Sequence, residues 1–362
     1  SDRSLDDGSG KNSEYLVQSK SKIENFIKNK EISFVIGELT WAIEILTFNI
    51  CKNFNKKKVI YLNPSSIRLP QDRILFFNDI HQSKYLKRNK TSKILDLKFN
   101  EEQKEYSKYI EEINKNKNNF FYFKKFINFI FNDYFDNLDP SKISKFSRIK
   151  KFILKKMNTL LYQFLKKKDL QFFKNKKFVI FFLQKTPEQN MDVKGMYYND
   201  NFKNLENVWK ILPPNFHLII KEHPSNIGNL NISFYKKILK KNKVYLLKNN
   251  VDFNKLVKKS FATFSVNSTA SLNSSCLNIP SFTFAKCYFN ELKYSMKIST
   301  EDFIEHNLFS LVSLIKTKNK FKSNLLNSDF LLNSHKGKIF GADIFSASNL
   351  KNLRNSIKEV CK

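Results

Sequence analysis

The chain has 362 residues, and its 64 Lys and Arg residues against 33 Asp and Glu residues give a formal net charge of +31 at pH 7. Hydrophobic residues make up 41% of the chain and aromatic residues 15%, so apolar surface is too abundant for an intrinsically disordered protein. With only 7 Gly and 8 Pro, collagen-like, mucin-like and linker classes are excluded, and the length favours two domains.

The positive charge has three explanations, which we rank. Lys, Asn, Phe and Ile are abundant together, as codon bias in an AT-rich genome produces, and this explanation ranks first. Attraction to an anionic membrane or an acidic substrate ranks second. Nucleic acid ranks last, because few of the cations are Arg, whose planar guanidinium is preferred for reading phosphates and guanine edges.

The sequence indicates no metal site, disulfide framework or membrane span. The four cysteines lie far apart and form no CxxC pair. No stretch approaches the ~18 apolar residues of a membrane span, and no signal peptide opens the chain, so we expect a cytoplasmic protein, peripheral at most on the inner face of the plasma membrane. Residues 1–22 are polar and lack an initiator Met, so we expect a disordered, processed or truncated end from which an earlier strand is missing.

The first elements in chain order predict a parallel βαβ unit. Residues 33–36 form a short apolar run, residues 40–53 have the length and pattern of a helix, and residues 59–62 indicate a second strand. Residues 63–66 are expected to form a loop. We assign residues 23–99 to an N-terminal Rossmann-like acceptor domain that is incomplete at its start.

Residues 100–175 predict a helical connecting segment. One apolar stripe in it recurs near a period of 3.6 residues between groups of Lys. Its members are Ile149, Phe152, Ile153, Leu160, Leu161 and Phe164. The preferred interpretation is a core-facing stripe on a solvated helix, and the alternative is a basic amphipathic helix on anionic lipid. The Phe-rich residues 120–131 leave the same two interpretations open.

From residue 176 onward, strands and helices alternate. The predicted strands are residues 178–183, 217–220, 244–247, 262–265 and 282–284, and the predicted helices are residues 201–212, 233–241, 253–258 and 271–277. We assign residues 176–300 to a C-terminal Rossmann-like nucleotide-sugar-binding domain and residues 301–362 to C-terminal helices. The predicted fold class is α/β, with two Rossmann-like doubly wound domains (GT-B-like) and an active site in the cleft between them.

The loops after these strands carry the candidate site residues, because open α/β sheets bind ligands at the carboxyl ends of their strands. Lys221 and His223 follow the strand at residues 217–220, project the same way from an extended segment, and precede Pro224, which fixes the turn. Both can therefore face an anionic phosphate. The alternative is a solvated loop with an incidental His.

Hydroxyl residues stand between the strand at residues 262–265 and the next helix. Ser268, Thr269 and Ser271 are ordinary helix N-cap types, but the same geometry presents backbone N–H groups and hydroxyls to a phosphate or ribose. No Walker or GxGxxG motif is present, so no ATP or NAD cofactor is expected.

Two glutamates are candidate catalytic carboxylates. Glu38 follows the strand at residues 33–36, and Glu188 follows the strand at residues 178–183, after Gln184. A carboxylate there can act as a general base on an acceptor hydroxyl or as a nucleophile in a retaining mechanism. The alternative for Glu38 is a helix N-terminal Glu favoured by the helix dipole.

Taken together, these segments resemble the bacterial capsule polysaccharide biosynthesis proteins, over about residues 33–290. The segments that carry the resemblance are Gly37-Glu38 with Trp41 and Glu44, residues 65–73 with Phe76-Phe77, Phe182-Leu183-Gln184 with Pro187-Glu188, residues 195–198, Leu212-Pro213, residues 221–224, and Thr269-Ala270 leading to Pro280. The resemblance implies a two-Rossmann glycosyltransferase-like protein. Relatives include 3-deoxy-manno-octulosonic acid transferases, whose donor is a cytidine monophosphate sugar.

The resemblance also implies roles for the site residues. Bacterial sialyltransferases of similar architecture hold the donor's cytidine phosphate with a His-Pro pair and a Ser/Thr pair. By that analogy His223 and Lys221 bind phosphate, Ser268 and Thr269 bind phosphate or ribose, and no metal is required. We also assign substrate binding to Gln184, Ser271, Arg68 and Arg73. The expected partners are a nucleotide sugar and a polysaccharide or glycolipid acceptor, with nucleic acid disfavoured.

The chain departs from its relatives at two positions. Many relatives have Glu where this chain has Asn273, and Gly where it has Ser271, so either the donor differs or its affinity is weaker. Two alternatives to a sugar transferase remain open. One is a polyol-phosphate transferase of the teichoic-acid type, and the other is a basic membrane-binding or RNA-binding protein that has the fold without catalysis.

Overall fold

A computed structural model describes residues 11–54, 58–88, 145–186, 188–318, 324–340 and 343–361. The strands in it are β1 (Phe34–Ile36), β2 (Ile60–Ser66), β3 (Arg73–Phe77), β4 (Lys167–Lys168), β5 (Lys177–Phe182), β6 (Phe216–Lys221), β7 (Val244–Leu247), β8 (Ala262–Ser265), β9 (Ser281–Thr283), β10 (Ser295–Lys297) and β11 (His335–Lys336). The helices are α1 (Lys11–Asn29), α2 (Ala42–Lys52), α3 (Lys145–Gln163), α4 (Asn201–Lys210), α5 (Ile232–Leu239), α6 (Phe253–Lys259), α7 (Thr269–Cys276), α8 (Asp302–Glu305), α9 (Leu308–Lys318), α10 (Asp329–Leu332) and α11 (Ala347–Val360). The predicted helix over residues 120–131 lies outside the described residues.

The chain divides into two compact units. Of the described residues, the N-terminal unit comprises 11–54, 58–79, 84–88, 145–149, 332–340 and 343–361, and the C-terminal unit comprises 80–83, 150–186, 188–318 and 324–331. Both units combine a sheet with helices, which confirms the predicted α/β fold class. None of the described helices is long and apolar enough to cross a membrane.

The sheet of the N-terminal unit has the order β1-β2-β3-β11 among the described residues. β1 and β2 pair in parallel and flank α2, as the strand, helix, strand pattern predicts. β3 and β11 pair antiparallel, so this sheet is mixed. The prediction of a loop over residues 63–66 is wrong, because β2 continues to Ser66 against β3. Pro64 is tolerated there because, among the described residues, β1 pairs with β2 no further than Leu62.

Two further differences lie at the ends of the chain. α1 begins at Lys11, inside the segment 1–22 that the composition predicts to be disordered, and it is anchored by the buried Ile27. Residues 301–362, predicted to be helical, also contain β11. The Arg88 guanidinium binds the Glu359 carboxylate of α11 through both of its oxygens, at 2.9 Å each, and donates to the Ser334 carbonyl at 2.8 Å.

The sheet of the C-terminal unit is parallel throughout the described residues, in the order β10-β9-β8-β5-β6-β7-β4. Alternate residues of β5 enter different cores: Val179 and Phe181 pack with α4, α5 and α9, whereas Phe178 and Ile180 pack with α6. Both faces of the sheet are therefore covered, as a doubly wound domain requires. The short edge strands β4 and β10 were not predicted.

α3 differs from its preferred interpretation. The stripe predicted to face the core is largely exposed, from Ile153 to Phe164, and the buried side chain of this helix is Tyr162. The prediction of a core-facing stripe is therefore wrong. The amphipathic pattern is present, but contacts made by the opposite side of the helix orient it, as described below.

Candidate functional site

Three loops of the C-terminal unit leave the parallel sheet at its carboxyl edge. They follow β5, β6 and β8, and we call them the β5 loop (residues 183–186 and 188–189), the β6 loop (residues 222–231) and the β8 loop (residues 266–268). β5 lies between the other two strands in the sheet. The loops are therefore neighbours at the edge where open α/β sheets bind ligands.

A buried carboxyl group organises the β6 loop. Oε1 of Glu222 accepts hydrogen bonds from the His223 N–H at 2.8 Å and from Nδ2 of Asn226 at 3.0 Å. Its Oε2 accepts from the Tyr235 hydroxyl of α5. Burial raises the pKa of Glu222, while these three donors oppose that rise. Glu222 thus fixes the backbone of the His-Pro segment from inside the domain.

The same network determines how the His223 ring presents its nitrogens. Nδ1 accepts a hydrogen bond from the Ser225 N–H at 3.2 Å, so the proton of the neutral ring is on Nε2. Desolvation lowers the pKa of His223, the Glu188 carboxylate opposes this, and Lys185 adds to it. Because the side chain is exposed, Nε2–H is available as a donor to a ligand.

Asparagine and glutamine side chains join the three loops. Gln184 and Asn267 exchange two hydrogen bonds, 2.6 Å from the Gln184 amide and 2.8 Å from the Asn267 N–H, which link the β5 and β8 loops. Oδ1 of Asn226 accepts from the Thr186 N–H at 2.9 Å, which links the β5 and β6 loops. Gln184 is a predicted substrate-binding residue, but its side-chain amide group forms hydrogen bonds that position the loops.

The β8 loop begins α7 with an N-cap. The Ser268 hydroxyl accepts from the Ala270 N–H at 3.1 Å, and the side chain of Thr269 is exposed. The Ser271 hydroxyl is buried and lies 2.7 Å from that of Ser265, which also accepts from the Ser268 N–H. Thr269 is therefore exposed and Ser268 half-buried, whereas Ser271 supports the loop from beneath.

Lys221 does not project beside His223. Its Nζ donates to the carbonyls of Lys248 at 3.2 Å and Asn249 at 2.8 Å, in the turn after β7. Burial lowers the pKa of Lys221 to about 8. The Lys221 side chain thus links the end of β6 to the turn after β7 at the carboxyl edge.

The remaining candidates divide between the two units. Glu188 is half-buried in the β5 loop, close enough to His223 to affect its pKa. In the N-terminal unit, Glu38 is exposed, and it is Glu44 that accepts from the first N–H groups before α2, at 2.8 Å. Arg73 is buried and donates to the Ser334 carbonyl at 3.2 Å, and the guanidinium of Arg68 lies 3.9 Å from the Phe340 ring centre.

Two features beside the β8 loop complete the site. The π-helical turn Asn190–Lys194 accepts from the Asn267 amide at 2.7 Å, through the Asn190 carbonyl. A Cβ on Gly195 would lie 2.6 Å from Val266, so only glycine allows this close approach. On α7, Oδ1 of Asn273 is buried without a hydrogen-bond partner among the described residues.

A sequence comparison matches the chain to one family. The profile of the family described as capsule polysaccharide biosynthesis protein matches residues 70–306, a range that contains all three loops. The chain belongs to this family. Its membership confirms the resemblance that the sequence motifs indicate. Comparison with curated proteins finds no match.

Several solved structures are similar to this capsule-family chain. The β-Kdo 2,7 transferase of KpsC from Thermosulfurimonas dismutans is 13% identical, with a TM-score of 0.44, over 91% of this chain and 89% of that one. The β-Kdo 2,4 transferase of KpsC from the same organism is 9% identical, with a TM-score of 0.44, over 91% and 87%. The UDP-GlcNAc 2-epimerase of Methanocaldococcus jannaschii is 11% identical, with a TM-score of 0.34, over 87% and 78%.

Three residues that organise the site were not singled out from the sequence. They are Glu222, Asn226 and Asn267, all buried at the bases of the loops. For Glu222 a signal existed: it stands between Lys221 and His223 on an extended segment, so its side chain must point to the opposite face, into the domain. The amides carry no such signal, because their partners are distant in sequence.

Proposed function

We propose that this chain is a glycosyltransferase of capsular or surface polysaccharide biosynthesis that uses a nucleotide-activated donor, a cytidine monophosphate sugar. The observation that supports this most is the joined set of β5, β6 and β8 loops. It presents Nε2–H of His223 and the N-terminus of α7 at the carboxyl edge of a parallel sheet. Hydrogen-bond donors and a helix N-terminus together suit a phosphate group.

In the proposed reaction, an acceptor hydroxyl attacks the anomeric carbon of the donor sugar. The new glycosidic C–O bond forms, the C–O bond to the phosphate breaks, and cytidine monophosphate leaves with the electron pair of that bond. His223 donates to the phosphate, and Ser268 and Thr269 contact the phosphate or ribose, so charge on the leaving group is stabilised. Glu38 or Glu188 accepts the acceptor's proton. The acceptor is a lipid-linked sugar or oligosaccharide at the inner face of the membrane.

The first experiment is a thermal-shift screen of the purified protein with cytidine, uridine, guanosine and thymidine mono- and diphosphates. A ligand at 100 times its Kd stabilises a protein by about 2.7 kcal/mol, which the screen resolves. Selective stabilisation by cytidine monophosphate supports the proposal. Selective stabilisation by cytidine diphosphate would favour a polyol-phosphate transferase, and no response to any nucleotide would favour a binding protein without catalysis.

A transfer assay with the donor identified by the screen then separates the two carboxylates. We expect either Glu38→Gln or Glu188→Gln to abolish transfer while the thermal shift with nucleotide is retained. Glu305→Gln, which changes an exposed carboxylate on α8, is the matched control and should transfer normally. Normal transfer by both test variants would remove these residues from the mechanism.

A further inference from the structure

α3 attaches to the C-terminal unit by its polar side. Asn158 donates to the Gly228 carbonyl at 3.4 Å, and the Tyr162 ring packs edge-on against Tyr235 in the core. Gly228 has a φ of +86°, and a Cβ there would lie 2.6 Å from the Lys155 carbonyl. The helix is therefore held tightly along Lys155, Asn158 and Tyr162, next to the β6 loop.

The opposite side of α3 is apolar and exposed. Five side chains of α3, with spacings of three and four residues, and Phe164 just after its end form this face, which covers about a third of the helix circumference. They are Ile153, Leu154, Met157, Leu160, Leu161 and Phe164, between 43% and 85% exposed. A soluble helix normally turns such a stripe toward the core, and a contiguous exposed apolar patch usually marks an interaction site.

The charge on α3 is of one sign. The helix sequence contains six Lys or Arg residues and no Asp or Glu. Lys150 and Lys156 are exposed close to the apolar face, and Lys166 is exposed just beyond the end of the helix. Lysine stems can lie along apolar surface while their ammonium groups reach outward, so cations and apolar side chains can contact one surface together.

The exposed apolar side chains and the cations together indicate which kind of partner binds this side of α3. A second copy of the chain would place the same cations opposite each other without any carboxylate on the helix, and like charges across an interface are costly. An anionic lipid surface offers both an apolar layer and negative charge at the required depth. We propose that the exposed face of α3, which we call the α3 face, binds the surface of a membrane that contains anionic lipid.

The α3 face does not depend on the proposed transferase activity. It adds a location for that activity, because the Gly228 contact fixes α3 against the β6 loop. A membrane bound at the α3 face would lie beside the element that carries His223. A lipid-linked acceptor would then approach the site from the bilayer rather than from bulk solvent.

The test is vesicle flotation of the full chain. Vesicles contain either phosphatidylcholine alone or phosphatidylcholine with phosphatidylglycerol, at low and high salt. We expect binding to the anionic vesicles, weakening with salt, and little binding to the neutral ones. The double variant Leu160→Ser with Phe164→Ser should reduce the partition coefficient at least tenfold. The control Ile304→Ser with Phe345→Ser removes two exposed apolar side chains elsewhere and should bind normally.

A second pair of variants tests the charge. Lys150→Gln with Lys156→Gln should weaken binding, and Lys258→Gln with Lys259→Gln, on α6, should not. The thermal unfolding midpoint of each variant is compared with that of the wild type to check that the variant is folded. Failure of the wild type to bind anionic vesicles, or equal binding by the α3-face variants and the wild type, would overturn the proposal. So would a wild-type dimer in light scattering that the Leu160→Ser with Phe164→Ser variant loses.

Discussion

Ser225 and His223 show how one backbone hydrogen bond can prepare a side chain for a ligand. Because the Ser225 N–H occupies Nδ1, the neutral ring offers Nε2–H outward. Desolvation lowers the pKa of His223, which favours the neutral ring, and the neutral ring can donate a hydrogen bond from Nε2. Acidification would protonate Nδ1 and break the bond to Ser225.

The first prediction concerns His223. We expect His223→Ala to reduce donor turnover at least about tenfold, equivalent to about 1.4 kcal/mol of transition-state stabilisation, because the phosphate loses a donor. Steady-state kinetics of the transfer reaction measure the effect. His306→Ala, which removes a histidine on the segment after α8, is the control. Wild-type turnover by His223→Ala would exclude a role in phosphate binding.

Lys221 leads to a pH prediction. Its pKa of about 8 in the folded chain is below the ordinary value of 10.5, because burial disfavours the ammonium. Between these pH values the unfolded chain holds a proton that the folded chain has lost, so this residue's contribution makes stability rise with pH. Urea unfolding at several pH values should show this rise in the wild type relative to Lys221→Gln. Parallel stability curves would contradict it.

We expect Lys221→Ala also to reduce turnover at least about tenfold. We attribute the loss of turnover to the two hydrogen bonds that Lys221 makes with the turn after β7, which the variant lacks. The sequence had instead suggested a direct contact between Lys221 and the phosphate, beside His223. A rise in nucleotide KM without any change in the thermal stability of the free protein would instead indicate direct phosphate contact.

Glu222 and Tyr235 allow a stability test of the buried network. Glu222→Ala leaves three buried donors without their acceptor and should cost several kcal/mol, at about 1–3 kcal/mol for each unsatisfied group. Tyr235→Phe removes one donor and should cost less. A double-mutant cycle by urea unfolding measures the coupling between the two residues. Additive effects would show that the carboxyl group does not depend on the tyrosine.

At the scale of elements, one glycine sets the distance between α3 and the β6 loop. Gly228→Ala places a Cβ against the Lys155 carbonyl and requires a residue with a side chain at a φ of +86°. We expect a loss of about 1–3 kcal/mol in the free energy of unfolding, with weaker nucleotide stabilisation because the loop shifts. Unfolding midpoints with and without nucleotide measure both effects, and an unchanged midpoint would show that α3 can move aside.

Local patterns predicted the central strands of the C-terminal sheet, whereas the shortest missed strands depend on distant partners. The alternation of apolar strands and helices from residue 176 onward predicted β5 to β9 because buried parallel strands have near-continuous apolar runs. β4, β10 and β11 have two or three residues each, too few for a periodic signal. Their existence depends on pairing with β7, β9 and β3.

The orientation of α3 shows a second limit of sequence reasoning. Its period was predicted, but periodicity does not determine which side faces the domain. That choice is made by Asn158 and Tyr162, whose partners Gly228 and Tyr235 lie far along the chain. The same limit applies to the candidate site. The motif residues after the strands were predicted, whereas the side-chain amides that join the loops, whose partners are distant in sequence, were not.

At the scale of the whole molecule, the described residues from 332 onward belong to the N-terminal unit. Leu353 and Ile357 of α11 pack on a core formed by Leu62, Ile74 and Phe76. β11 also pairs with β3. The C-terminal unit, by contrast, ends at residue 331.

A chain that stops after Leu331 tests this arrangement. We expect it to lose the cooperative unfolding of the N-terminal unit, because the core over β2 and β3 is uncovered and Arg88 loses Glu359. The C-terminal unit should keep its own transition. Calorimetry and limited proteolysis distinguish the two outcomes, and a truncated chain with both transitions intact would show that residues 332–362 are dispensable.

The packing of β11 and α11 in the N-terminal unit affects the order in which the two units can fold during translation. Domains are usually completed in the order in which they are synthesised. Here the strands β1 to β3 must wait for β11 and α11, which are made more than 250 residues after β3, whereas the described strands of the C-terminal sheet have already been translated. During that interval the apolar side chains of Leu62, Ile74 and Phe76 lack the cover of α11, so we expect chaperones that bind during translation to recognise this part of the nascent chain.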